Sequence, residues 1–371
     1  MSTFGIKILQ KGRNKMWSVV IGFSGFIMLV AAAYDLLPVG LFILVISLTL
    51  ISCGIILYAY EAYRDVPEGI KNNHNFFNSL SSRGWLGWLT GMVLTGFYIL
   101  LYWFPEYLGQ GDKSNTGLVA FFDPLSQLLK KQNASQWFVY GALYTLAILI
   151  MGVKFIWKYR HSKYQLIRTL SVIFFQLAFA FLIPEFMLRL NMPYNDFKNM
   201  WPLNYYFFDG WHLQEMMQNG NIGWLMLIWG VLMIVVVSPV LTYFFGKRWY
   251  CSWVCGCGGL AETAGDPFRH LSDKSIAAWK VERYLIYSVL VFSVVMTVGV
   301  LYSFYSGISS IAGVNTASLR SIYGFLIGSA FSGVIGVGFY PLLGSRVWCR
   351  FGCPMAAILG IQQKFFSRFR I

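Results

Sequence analysis

Three cysteines fall within seven residues in RWYCSWVCGCGG, at positions 251, 255 and 257, and two more follow in RVWCRFGCP, at 349 and 353. Cys53 is the only other cysteine in 371 residues. Aligned, the two stretches both read Arg, any residue, an aromatic, Cys, three residues, Cys. Four thiolates suit an iron-sulfur cluster or a structural zinc, both of which accept cysteine-only coordination. Zinc is expected in C-x-x-C knuckles on a soluble ribbon, whereas these C-x-x-x-C turns follow apolar runs, so the spacing favours iron-sulfur. Pro354 after Cys353 agrees, because a Cys-Pro step ends many cluster-binding turns. Arg248, Arg346 and Arg350 would offset the negative charge of thiolates and cluster. The first motif carries Gly256 in place of proline and adds Cys257, which leaves open whether Cys255 or Cys257 ligates, or whether Cys257 is a fifth, exchangeable thiol.

The elements that must position these thiols are membrane spans. The chain is 57% hydrophobic and 12% charged, with a mean hydropathy of +0.57, too little polar residue to cover a soluble globule of this size. Crossing the hydrocarbon core takes about 20 helical residues. Eight apolar runs qualify, at about 17–34, 36–60, 84–104, 136–157, 168–187, 223–245, 282–305 and 321–344. The expected fold is an all-α polytopic bundle of about eight transmembrane helices. Two regions are expected: 1–222, with about five helices and external interfacial loops, and 223–371, with about three helices and both C-x-x-x-C motifs.

Charge orients the bundle. Of 29 Lys and Arg, 23 lie in the termini and alternate loops that share one side, which nets +16, while the other side nets −2. Basic residues accumulate on the cytoplasmic side, so both termini and both cysteine motifs are expected there, in a multi-pass protein of a bacterial inner membrane. The net charge of +14 therefore reflects insertion in a lipid bilayer and not a nucleic-acid partner. No cleavage site follows the first apolar run, which reads as a retained helix. On the reducing side of the membrane disulfides are disfavoured, which again turns the clustered cysteines toward metal or redox work. Spans six and eight run the same way, so their ends share one face and the two thiol pairs can meet. Gly324, Gly328, Ser332 and Gly336 make a smooth stripe on span eight that would let span six approach closely and so bring the two thiol pairs together.

Other candidates are weaker. The segment 188–222 interleaves Trp201, Tyr205, Tyr206, Phe207, Phe208 and Trp211 with polar residues, and is expected to lie in the headgroup layer as an aromatic belt or as the lip of a quinol site. A quinone is a possible second cofactor, with Glu185, Asp209 and His212 as candidates to accept its protons. Cys53 is expected to behave as a small buried hydrophobe. His74, His161, His212 and His270 all fall in predicted loops, which argues against bis-histidine haem. GVIGVG at 333–338 lies inside an apolar run and not at a strand-to-helix turn, so it is no dinucleotide fingerprint.

Paired C-x-x-x-C motifs after transmembrane helices resemble the membrane-bound polyferredoxins of the NosR/NapH type, with the FixG/CcoG-type oxidase-assembly proteins as neighbours. The likeness covers residues 240 to 360. It implies a [4Fe-4S] cluster on Cys251, Cys255, Cys349 and Cys353, with electrons relayed between the quinone pool or a cytoplasmic donor and a respiratory partner. A ferredoxin-like domain or protein would be the redox partner. Such families usually carry a further ferredoxin segment, and this sequence stops 18 residues past Cys353. The resemblance therefore implies either a truncated form or clusters supplied by a partner. The rival reading is an assembly factor that receives and delivers a metal such as copper.

Overall fold

The computed structural model describes residues 3–64, 80–311 and 313–368, with backbone only for 3–11. His74 lies outside the described residues. Among those residues, eight helices are long and apolar enough to cross a membrane: α1 Gly12–Ala33, α2 Leu41–Tyr63, α3 Trp85–Trp103, α4 Gln136–Lys158, α5 Lys163–Arg189, α6 Gly220–Phe245, α7 Ile276–Ser306 and α8 Thr316–Ile335. Their outward faces are apolar, with Phe42, Leu225, Ile228, Val235, Val291 and Val298 all exposed, as a lipid-solvated surface requires. Cys53 sits on such an outward face of α2 and not in the interior as expected.

Two spans change pitch for an identifiable reason. A proline lacks an N–H and its ring excludes the carbonyl four residues earlier, so the preceding helix cannot keep its ordinary bonding. Accordingly α5 widens to a π-helix over Phe175–Leu182 just ahead of Pro184, and α6 does so over Met233–Val237 just ahead of Pro239. α8 ends at Ile335, earlier than the hydropathy of 321–344 predicts, because Gly336 and Gly338 break the helix before the short turn Tyr340–Leu343.

The chain forms two compact units, one of Met1–Asn75 and Ile99–Leu177, the other of Phe76–Tyr98 and Ala178–Ile371. In the first, α1 and α2 pack as a close pair through small residues. Ser47 Oγ donates to the Gly25 carbonyl at 2.9 Å, and a Cβ on Gly54 would stand 2.4 Å from Gly22 Cα. Gly54→Leu should therefore force the pair apart and cost about 1–3 kcal/mol, read as a lowered Tm in detergent. Arg160 in the α4–α5 turn donates to the carbonyls of Tyr63 and Arg64, and Gln176 donates to Thr145 across the α4–α5 interface at 3.1 Å.

In the second unit, residues 190–209 are the largest departure from expectation. They are covered by protein and not spread on the surface of the bundle. They fold into the interior, with Asn195, Lys198, Met200, Asn204 and Phe207 all buried. Trp229 of α6 donates to the Phe197 carbonyl at 3.0 Å, and Trp201 donates to Thr297 of α7 at 2.9 Å. Both partners lie nine residues inside their spans, about 13 Å at 1.5 Å per residue. Tyr205 fills the small-residue stripe of α8, where a Cβ on Gly328 would meet its ring at 2.9 Å. The stripe receives a loop side chain and not α6. Irregular backbone at membrane depth is tolerated only where protein covers it, which this packing provides.

Candidate metal centre

Each cysteine motif is a turn followed by a helix, and the two turns are built alike. Cys251 lies in the short helix Arg248–Trp253, and Cys349 in the π-helical turn Trp348–Gly352. Four residues on, Cys255 and Cys353 take extended backbone, with φ −69°, ψ 127° and φ −83°, ψ 109°, and each caps the start of a helix, Gly256–Thr263 and Pro354–Phe366. The Cys255 N–H donates to the Tyr250 carbonyl at 2.8 Å and the Cys353 N–H to the Trp348 carbonyl at 3.0 Å, equivalent bonds in equivalent places. Gly256 thus occupies the position of Pro354, the first helical residue, where proline's fixed φ and missing N–H are suited and glycine is tolerated. The equivalent of Cys257 is Met355.

Neither capping sulfur accepts a hydrogen bond of ordinary capping geometry. The N–H groups of Cys257 and Gly258 nevertheless bear on the Cys255 sulfur and those of Met355 and Ala356 on the Cys353 sulfur, where they oppose but do not outweigh the rise that burial imposes on Cys353, so two helix N-termini direct positive charge at the paired sulfurs. The close fit has a direct test. A Cβ on Gly258 would stand 1.7 Å from the Cys251 carbonyl oxygen, a backbone atom that cannot turn aside. Gly258→Ala should unwind the first motif and abolish metal binding while the second motif is unaltered, measured as iron per chain.

A crossed arrangement holds the two motifs together. The helix after the second motif docks on the end of α6, where Ser238 and Thr242 donate to Gln362 Oε1 at 3.0 and 3.1 Å. The chain after the first motif packs against the turn that follows α8, with Gly265 on Ser345 and Gly344, at φ 91°, against the Ser272 backbone. Arg83 joins the two, donating to the carbonyls of Leu342 and Leu271 at 2.9 and 3.1 Å. At Gly246 (φ 72°) the chain folds back, and Trp249 Nε1 reaches Thr242 at 3.0 Å.

The outcome is that all five clustered thiols share one electrostatic neighbourhood. Cys255 and Cys353 are buried, and Cys251, Cys257 and Cys349 are partly exposed. Burial, then the charge of neighbouring sulfurs, pushes Cys251 and Cys353 up, and Cys349 up to about 12. Cys255 is held below the ordinary thiol range, first by a hydrogen bond from Cys257 and then by Lys198. Several thiolates gathered in such a place repel one another, and a bound cationic metal centre removes that cost. Among the described residues no three His, Cys, Asp or Glu side chains converge as ligands of a single metal ion.

A model of the 4Fe-4S binding domain family matches residues 227–275 and 326–370. The two matched segments contain the two motifs and omit the whole of α7. No curated protein and no solved structure matches the chain. The protein is thus a multi-span helical membrane protein in which two segments are similar to the 4Fe-4S binding domain family.

Of the three arginines expected to offset the thiolates, Arg346 does so, bearing on Cys251 and Cys349. It is held by Glu262, a buried acid on the helix that Cys255 starts, whose other oxygen accepts Arg269 at 3.1 Å. Arg350 instead pairs with Glu282 of α7 at 2.8 Å and donates to the Asp273 carbonyl, and Arg248 is exposed. Glu262, the lone acid in the first motif's helix, is a structural partner that a reading for ligands alone passes over.

The candidates for a quinol site lie elsewhere in the second unit. Asp209 is buried, paired with Arg320 of α8, and accepts Trp211 Nε1 at 3.1 Å. His212 is buried and its Nδ1 donates to the Phe207 carbonyl at 3.0 Å, and burial lowers its pKa. Glu185 is buried near the end of α5. Asp209 and His212 are neighbours, while Glu185 bears on Tyr194, which in turn senses Asp196 and Tyr206. Their contacts anchor the ends of the buried loop. His270 is exposed.

Proposed function

We propose that the protein is a membrane electron carrier in which Cys251, Cys255, Cys349 and Cys353 hold one [4Fe-4S] cluster at the cytoplasmic end of the bundle. The supporting observation is the equivalence of the two motifs: turn, capping cysteine and helix are repeated in detail, and only Cys255, not Cys257, has the place of Cys353. A cluster bound there exchanges one electron at a time. The chain's own residues supply four sulfurs, two helix N-termini and Arg346, which together favour a negatively charged centre. The electron donor or acceptor is a quinone or a ferredoxin-like respiratory partner. On this reading the protein works in the manner of the polyferredoxins it resembles, in a bacterial inner membrane.

Cys257 is the observation that favours the rival reading, delivery of a metal such as copper: it is partly exposed and hydrogen-bonded to Cys255, as an exchangeable ligand would be. A single-turnover experiment separates the two. Protein in lipid vesicles, reduced anaerobically with dithionite, should be reoxidised by a short-chain quinone or a ferredoxin with loss of its reduced-cluster EPR signal, and Cys349→Ser should show no such signal. A protein that binds copper stoichiometrically at these cysteines and shows no reducible signal supports the rival.

A further inference from the structure

The buried loop does more than fill the bundle, because its deepest residues arrive at the cysteines. Tyr250 Oη donates to the Lys198 carbonyl at 2.9 Å. Tyr250 is the residue before Cys251, and its own carbonyl accepts the Cys255 N–H. Lys198 is 8% exposed, and its ammonium lies 3.8 Å from Asp196 Oδ2. The Asp196 carboxylate also accepts the Lys198 N–H at 3.2 Å, which fixes the pair in one turn. Lys198 bears on Cys255, after the larger effects of the Cys257 hydrogen bond and of burial, and Asp196 bears on Tyr250 and Tyr206. A loop that enters the bundle among α6, α7 and α8 therefore brings the buried Lys198–Asp196 pair to Tyr250, the residue that precedes Cys251. Arg346, from the second motif, bears on Cys251 and Cys349.

We propose that Lys198 is a positioning residue for the cluster's reduction potential: a fixed positive charge, carried into the membrane interior by the loop, that stabilises the reduced centre and is partly offset by Asp196. This rests on the cluster reading above and deepens it. Adding an electron makes the centre more negative, and in a protein interior of low effective dielectric a buried neighbouring charge acts on that step more strongly than in water. Placing a lysine and an aspartate at membrane depth is costly, and such residues are retained where they act on a site.

The test is an EPR-monitored redox titration at pH 8 on full-length, anaerobically purified protein, with iron and sulfide measured on every sample. Lys198→Gln should lower the reduction equilibrium about tenfold at fixed potential, a shift of about 59 mV downward for a one-electron couple. Asp196→Asn should shift it upward, and Lys198→Arg should stay near the unaltered protein. Opposite signs from two adjacent residues support a charge effect, which loosened packing does not produce. Equal iron with no shift in either variant, or shifts of the same sign, overturns the proposal. Should Lys198→Gln fail to hold iron, Asp196→Asn decides alone: a rise supports the proposal, and no change or a fall overturns it. Absence of iron from the unaltered protein overturns the cluster reading itself, a result distinct from any of these.

Discussion

In the Cys255→Ser variant, bound iron and the reduced-state EPR signal are expected to fall to near zero, whereas Cys257→Ser is expected to keep both. The two residues are nearly adjacent, and sequence spacing alone gives either an equal claim. Their structural positions differ. Cys255 caps the helix Gly256–Thr263 with extended backbone and accepts positive charge from two N–H groups, and Cys353 does the same in the second motif. Cys257 is the second residue of that helix, in the place of Met355. Serine at 255 removes one of four thiolates and leaves three that cannot complete the coordination. Serine at 257 keeps a hydrogen-bond donor toward the Cys255 sulfur, so a modest change in potential with full iron occupancy is the expected result. Loss of iron in Cys257→Ser with retention in Cys255→Ser would reverse the assignment.

The second large effect concerns the buried loop. Gly328→Leu on α8 is expected to expel Tyr205 and with it residues 190–209, because the ring lies within 2.9 Å of where a Cβ would stand, with Gly324 providing the next step of the same cleft. Loss of that anchor also opens the Trp201–Thr297 and Trp229–Phe197 hydrogen bonds, each of which satisfies a group held away from water. The expected cost is at least 3 kcal/mol, summed over overpacking and the orphaned polar groups. It should be visible as a lowered Tm and as new protease cleavage within 190–209. A variant with unchanged Tm and no new cleavage would contradict the burial of the loop.

Much of this arrangement was legible in the residues. Eight apolar runs became eight spans because length and hydropathy are direct consequences of the bilayer's thickness. The echo of Arg-x-aromatic-Cys-x-x-x-Cys gave the two turns, because a local repeat folds locally alike. The loop was not legible, since an aromatic segment interrupted by Asn, Asp, Lys and two prolines has the composition of a headgroup belt as well as that of a covered re-entrant stretch. Only tertiary packing distinguishes them. For the same reason the glycine stripe on α8, expected to admit α6, receives Tyr205 at Gly324 and Gly328. The roles of Lys198 and Glu262 depend on contacts across 52 and 84 residues of sequence, to Tyr250 and Arg346 respectively, and no local pattern carries that information.

The central claim is that sulfurs from two distant turns build one centre. Iron and acid-labile sulfide per chain, measured on anaerobically purified protein alongside Cys349→Ser, test it most directly. The account predicts about four of each in the unaltered protein, with a reducible EPR signal, and loss of both in the variant. Near-zero iron in the unaltered protein, or a signal that survives the loss of Cys349, would contradict it.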